Sequence, residues 1–263
     1  METKKQLPIT FYQKGESGTR AEPVAVEYPL TIYLNGAELV TIVCSPDYLE
    51  DLVVGFLTSE GIVRSPADID RIELIESSGH AQVTASFVNQ FNAKYRAKRY
   101  ITSCCGKSRE NFYFQADASL LETHNDTNVR LTPDAIFHLM DTFEASSATF
   151  QETGGVHNAA LCNTEQLLVS RMDIGRHNAL DKIYGYSLVH QLAVEDKVIA
   201  FSGRISSEIL VKTAKIGCGI LLSRSAPTEL AVKMAEELNL TTVGFIRHNR
   251  FNIYSGAERI LLK

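Results

Sequence analysis

No run of apolar residues in the 263-residue chain approaches the ~20 that a helix needs to cross a bilayer. The opening stretch, METKKQLPIT, also lacks the apolar core of a secretory signal. Both absences point to a cytoplasmic protein that does not engage a membrane, in a compartment where thiols stay reduced. Cysteine is scarce and odd in number: Cys44, Cys104, Cys105, Cys162 and Cys218 make five, scattered along the chain, which excludes a disulfide framework. No two are spaced Cys-x2-Cys, as a structural zinc site would want. Hydrolytic deamination of nucleobases needs His-x-Glu together with Pro-Cys-x-x-Cys. The nearest stretch is His157-Asn158-Ala159, without the glutamate, and Cys218 stands alone in Gly217-Cys218-Gly219. No metal held by protein side chains is therefore expected. GxxxxGK[ST], GxGxxG and GxSxG are missing too, which argues against ATP hydrolysis, nicotinamide chemistry and a nucleophile elbow. Nor is there an excess of positive charge. The net charge of -5 argues against bulk binding to nucleic acid or anionic membranes, although a local basic site remains open.

What is present is ordinary globular composition, 44% hydrophobic and 22% charged, in a chain long enough for one large domain or two modest ones. Residues 1 to about 22 read as a loose tail or an early edge strand. PLTIYLNGAELVTIVC has two β-branched runs around Asn35-Gly36, the strongest short hairpin signal. Ser45-Pro46-Asp47 predicts a helix start, with Ser45 as N-cap. Leu49, Leu52, Val53, Phe56 and Leu57 lie on its apolar face, and Gly61 stops it. Strands follow around 69–75 and 82–87. A further helix opens at Thr132-Pro133-Asp134, and beyond Gly154-Gly155 strands and helices alternate to the end. The expected fold class is α/β: a largely parallel or mixed sheet covered by helices, preceded by a smaller β-rich α+β domain. The boundary is placed in the polar stretch ETHNDTN, giving domains 1–128 and 129–263.

Three apolar runs in the second half end in arginine: IAFSGR at Arg204, ILLSR at Arg224 and VGFIR at Arg247. Ligands of open α/β sheets bind beyond the carboxyl ends of the strands. Neighbouring parallel strands would gather three guanidiniums at one rim, beside helix N-termini. Guanidinium forks suit phosphate oxygens, so a phosphate-bearing ligand such as a nucleotide is the natural occupant. His248, Asn249 and Arg250 extend the last site with further donors. TGGVHN (153–158) and DIGRHNALDK (173–182) add polar clusters; in the second, His177 and Asp181 share a helix face, which reads equally as a capped helix with a surface ion pair.

The stretch ITSCCGKSRE sets Cys104 and Cys105 among Thr102, Ser103, Gly106, Lys107, Ser108 and Arg109. Lys107 and Arg109 favour the thiolate of Cys105, the form that attacks sulfur, and Gly106 permits close approach by another molecule. Such a thiol can hold a sulfur as a persulfide and pass it on. These residues alone leave open a cysteine pair tucked under a loop. Cys44, Cys162 and Cys218 read as core.

Together, SPDYLEDLVVGFLTSEGIV, TSCCGKSR, TGGVHNAAL, DIGRHNALDKIYG, FSGRISSEILVKTAKIG, SRSAPTELAVKMA and GFIRHNRFNIYSG resemble the FdhD/NarQ family, the formate dehydrogenase accessory sulfurtransferases. The resemblance covers nearly the whole chain. It implies a carrier that accepts sulfur from a cysteine desulfurase and passes it to the molybdenum bis-guanine-dinucleotide cofactor required by formate dehydrogenase. It implies a cytidine-deaminase-like C-terminal fold and a homodimer. Cys105 matches the persulfide-bearing cysteine, and Phe245, Ile246, Arg247, His248, Asn249 and Arg250 match the cofactor-binding stretch. Many relatives have Cys-x-x-Cys where this chain reads Cys105-Gly106-Lys107-Ser108, which puts in question how the persulfide is resolved and whether Cys104 takes part. A cofactor-escorting chaperone without sulfur transfer is the alternative reading.

Overall fold

The computed structural model describes residues 1–89, the backbone of 99–101, and residues 129–262. The predicted carrier segment around Cys104, Cys105 and Lys107 lies outside the described residues, and the expected boundary at 128 falls at their edge.

Residues 1 to 22 are not a tail. β1 (Lys4–Gln13) and β2 (Glu16–Ala25) form a two-stranded antiparallel ribbon, turned at Lys14-Gly15 with both residues at positive φ. Both faces of the ribbon are largely exposed, so it carries no clean apolar alternation for the sequence to announce. It leans on the second half through the Lys4–Glu152 ion pair.

β3 (Tyr28–Leu34) and β4 (Ala37–Cys44) are the hairpin expected around Asn35-Gly36. With β5 (Ile69–Ile75), β6 (His80–Ala85) and β7 (Arg99–Ile101) they form a five-stranded mixed sheet in the order β5-β6-β3-β4-β7. Helix α1 (Leu49–Ser59) buries Leu49, Leu52, Val53, Phe56 and Leu57 against it. Its predicted cap is corrected by the structure. The helix starts after Tyr48, which holds a left-handed conformation (φ 49°), and no side chain caps it. Ser45 and Asp47 are used elsewhere, as described below.

The second half holds α2 (Pro133–Ala145), α3 (Ala148–Thr153), β8 (His157–Cys162), β9 (Leu167–Asp173), α4 (Arg176–Val189), β10 (Val198–Phe201), α5 (Ser207–Ile216), β11 (Ile220–Ser223), α6 (Glu229–Glu237), β12 (Thr241–Arg247) and β13 (Arg250–Ser255). Thr132 caps α2 through Ala135 N–H, as its sequence predicts. The six strands run β13-β12-β11-β10-β8-β9, with β10, β11 and β12 parallel and the outer pairs antiparallel. One face packs on α4, α5 and α6, through residues such as Leu180, Ile183, Ile209, Leu210 and Met234. The other packs on Ile136, Leu139, Met140 and Phe143 of α2. The fold is a mixed α/β architecture, with six α-helices among the described residues.

The two sheets are joined by α1 and α4, which cross at glycines. A Cβ on Gly55 would lie 1.8 Å from the Asp181 carbonyl oxygen, and one on Gly185 would lie 1.9 Å from that of Asp51. Only glycine permits this approach. Behind the crossing is a buried polar network. Lys182 Nζ sits 2.8 Å from Asp173 and 2.7 Å from Asp47, and donates to the Ser45 and Met172 carbonyls. Asp173 also accepts from the backbone N–H groups of Ser45 and Gly175 and from Asn178 Nδ2. The Ser45 hydroxyl accepts from Ile174 N–H. Thus Ser45 and Asp47, which read locally as helix-start residues, serve a charge contributed by α4. A second group joins Asp181 to Lys212 (2.6 Å) and to the Ser59 hydroxyl (2.8 Å). Arg171 completes the seam, bonded to Asp51 and stacked between the Tyr48 and Tyr186 rings.

Candidate anion-binding rim

β10, β11 and β12 are adjacent and parallel, so their carboxyl ends lie side by side and bring Arg204, Arg224 and Arg247 to one rim. β8 runs antiparallel to β10, and β13 antiparallel to β12, so His157 at the start of β8 and Arg250 at the start of β13 reach the same edge. Helices α5 and α6 begin here. Ser206 caps α5 by accepting from Ile209 N–H, and Thr228 caps α6 by accepting from Ala231 N–H. Helix N-termini of this kind favour anions. Small side chains knit the strand ends: the Ser223 hydroxyl donates to Gly203 O and accepts from Ser225 N–H, and Ser225 Oγ lies within reach of Ser202 O.

The backbone at the end of β12 is strained. Phe245 and His248 hold positive φ values of 52° and 31°, and the β12–β13 register shifts between Gly244 and Arg247. Such conformations cost on the order of 1–3 kcal/mol each and persist where the surroundings fix them, often at binding sites. Close packing enforces the shift: a Cβ on Gly244 would lie 2.7 Å from the Ser225 carbonyl oxygen. The outcome is an alternation of exposure. Phe245, Arg247, His248, Asn249 and Arg250 are exposed, whereas Ile246 is 1% exposed and packs in the core. Of the expected cofactor-binding stretch, then, Ile246 offers the rim its backbone only.

The arginines differ in what they hold. Arg204 is exposed. Arg247 Nη1 donates to the Arg224 and Ile246 carbonyls, which leaves the rest of its fork at the surface. Arg224 is mostly buried, its Nη2 paired with Glu144 and near Asp141 of α2, while its Nε is buried without a partner.

Sequence reasoning singled out DIGRHNALDK without dividing its labour. Asp173, Asn178 and Lys182 belong to the buried network. Asp181 is buried too, so it makes no surface pair with His177. His177 instead lies 3.0 Å from Glu208 at the start of α5, within ion-pair distance but without hydrogen-bond geometry at its Nε2. Half-buried His157 sits beside Gly203; burial, then the charges of Arg176 and His177, hold its imidazole below the ordinary histidine range. Asp141 and Glu144, the acids that meet Arg224, went unnoticed in the sequence; their position in the last turns of α2, where acids are disfavoured, is the signal that could have found them.

No group of three or more His, Cys, Asp or Glu side chains that could hold a metal occurs among the described residues. The thiols of Cys44, Cys162 and Cys218 are buried, and burial raises them all, Cys162 to about 12. These three are core residues. No helix among the described residues is long and apolar enough to cross a membrane.

Fold and rim together define a mixed α/β protein with an arginine-lined edge suited to phosphate. The chain belongs to the FdhD/NarQ family, whose profile matches residues 25–261. It is 71% identical to the sulfur carrier protein FdhD of Listeria innocua over 93% of this chain and 95% of that protein. It is 51% identical to the protein of the same name from Bacillus subtilis, over 95% of this chain and 94% of that one. A crystal structure from Desulfotalea psychrophila, provisionally described as a formate dehydrogenase accessory protein, matches with a TM-score of 0.80 at 25% identity, covering 99% of this chain and all of that one.

Proposed function

We propose that the chain is a sulfur carrier serving formate dehydrogenase. It takes sulfur from a cysteine desulfurase onto Cys105 and delivers it to the molybdenum bis-guanine-dinucleotide cofactor, which is its substrate. In the loading step the Cys105 thiolate attacks the terminal sulfur of the desulfurase persulfide. A new S–S bond forms on Cys105, the old one breaks, and the desulfurase cysteine leaves as a thiolate. A neutral sulfur atom moves, so no external oxidant or reductant is required. Lys107 supplies the positive charge that favours the attacking thiolate.

The observation that carries this reading is the rim. Arg204, Arg224 and Arg247 follow the ends of three neighbouring parallel strands and Arg250 opens β13 at the same edge, where α5 and α6 also begin and where open α/β sheets bind ligands. A guanosine diphosphate moiety needs such donors for its phosphates, and the exposed Phe245 ring offers a face for a base. In this reading residues 129–263 form a cytidine-deaminase-like cofactor domain without zinc ligands, residues 1–128 form the domain that ends in the cysteine segment, and the protein works as a cytoplasmic homodimer. The names of its relatives support the carrier role.

The test has two arms. After incubation with a desulfurase and cysteine, mass spectrometry should find one added sulfur on Cys105, and Cys105→Ser should fail to support formate dehydrogenase. Full support by Cys105→Ser would reject sulfur transfer in favour of an escorting chaperone. Guanosine diphosphate binding should weaken about tenfold or more in Arg247→Ala, the loss of a charge-assisted hydrogen bond; unchanged binding would remove the rim from the reading.

A further inference from the structure

We infer that Asp141 and Glu144 are placeholder counter-ions: they occupy Arg224 while the rim is empty and yield it to a phosphate of the ligand, thereby setting the rim's affinity. This rests on the reading of the rim as a nucleotide-phosphate site.

The Arg224 side chain is 14% exposed, so its charge is mostly removed from water and needs a partner. The partners are unlike it. Glu144 and Asp141 keep 47% and 68% of their side-chain surface exposed. An exposed carboxylate gives up an ion pair at little cost, because water resolvates it. The pair is therefore asymmetric: the arginine depends on a counter-ion, and the acids do not depend on the arginine. Their placement is itself unfavourable. Both lie toward the C-terminal end of α2, where the helix dipole opposes negative charge, and that last turn holds no basic residue. They are also three positions apart, a like-charge pair on one helix face. Helix stability alone would not select this arrangement; a neighbouring arginine that must be neutralised but remain available does. Finally, the buried Nε of Arg224 has no partner. The acids engage Nη2 and leave Nε empty, so the fork is only half used. A phosphate presenting two oxygens would fill both donors.

A ligand phosphate arriving at Arg224 must displace the carboxylates and is repelled by them. Removing their charge without removing their shape should therefore tighten binding and weaken the empty protein. The experiment compares unaltered protein with Glu144→Gln and with Asp141→Asn/Glu144→Gln, using guanosine diphosphate as probe, by calorimetric titration and by thermal unfolding with and without the nucleotide. The expected result is a dissociation constant lowered about three- to tenfold in the double variant. Its melting temperature should be lower than that of unaltered protein without nucleotide, and this gap should close at saturation, because the ligand replaces the missing counter-ion. Unchanged or weaker binding in the double variant would overturn the inference, since acids that merely orient Arg224 for its ligand produce that result. If Arg247→Ala binds the nucleotide as well as unaltered protein does, the nucleotide reading fails separately. Inorganic pyrophosphate then decides the placeholder role: tighter binding in the double variant upholds it, and any other result overturns it.

Discussion

Replacing Lys182 with methionine removes a fully buried ammonium while keeping its length and most of its volume. Lys182 is 0% exposed, and Asp173 beside it is likewise 0% exposed. Burial pulls the lysine toward neutrality, but Asp173 and Asp47 outweigh that pull and hold its proton more firmly than usual. Burial pushes the Asp173 carboxyl up, but Lys182 and the donors aimed at it from Ser45, Gly175 and Asn178 suit a carboxylate, and we take the pair as ionised. Without Lys182 the Asp173 charge keeps its neutral donors and loses its cation. Breaking a buried pair from one side costs about 3–5 kcal/mol. Unfolding entropy is about 2.1 cal/mol/K per residue, or about 0.55 kcal/mol/K for 263 residues. A loss of about 4 kcal/mol should therefore lower the melting temperature by ~7 °C. Calorimetry or circular dichroism reads this directly. The double variant Lys182→Met/Asp173→Asn should lose less than the sum of the two single changes, because each single change strands one charge of the pair and the double variant strands neither. A drop of under ~2 °C in Lys182→Met, or strict additivity in the double variant, would refute the claim that this buried pair anchors the network through which Ser45 and Asp47 tie the first half to the second.

Gly55→Ala should destabilise severely, by about 3 kcal/mol or more despite the ~1 kcal/mol that alanine gains in helix propensity, because α1 and α4 would have to separate; urea unfolding measures it, and a stabilised variant would show the crossing to be looser than drawn. His157 should make stability fall as pH drops below its ordinary value near 6.5, because the unfolded chain takes up a proton there that the folded imidazole, held lower by burial and by Arg176 and His177, does not. His157→Gln should flatten that slope in urea melts at pH 7.5 and 5.5; an unchanged slope assigns the pH dependence to other groups.

The rim was legible in the sequence because its logic is local. An apolar run that ends in arginine is a strand whose polar end lies at the sheet edge, and three such runs separated by helices can be neighbours there, although the run does not reveal that Arg224 is mostly buried against α2. What the sequence concealed was partnership at a distance. Ser45-Pro46-Asp47 has the composition of a helix start, yet Ser45 N–H donates to an aspartate 128 positions further on, and Asp47 pairs with a lysine 135 positions away. Local propensity cannot anticipate that a buried charge elsewhere will claim the cap. The β1–β2 ribbon was left between a loose tail and an early edge strand for the opposite reason: with both faces exposed it leaves no period-two apolar signal, and Pro8 and Pro23 count against a strand. Ile246 shows the limit of carrying over a stretch as a block, since it alone of residues 245–250 turns into the core.

The seam and the rim are one construction. Gly175, Arg176 and His177 open α4 at the rim, while Asn178, Asp181 and Lys182 on the next turns reach back into the seam. Asn178 Nδ2 donates to the Val43 carbonyl at the end of the first sheet's hairpin, and Asp173 holds both Ser45 N–H and Gly175 N–H. The start of α4 is thus pinned from both sheets at once, by bonds that a shift between the halves would break together. Rigid attachment of this kind fixes the position of Arg176 and His177 beside His157 and the strand-end arginines. It accounts for a ten-residue motif that looks like a surface cluster yet is largely interior: the motif's polar residues build the joint that keeps one wall of the rim in place, while Arg204, beyond β10, and Arg247, at the end of β12, stay exposed at the same edge.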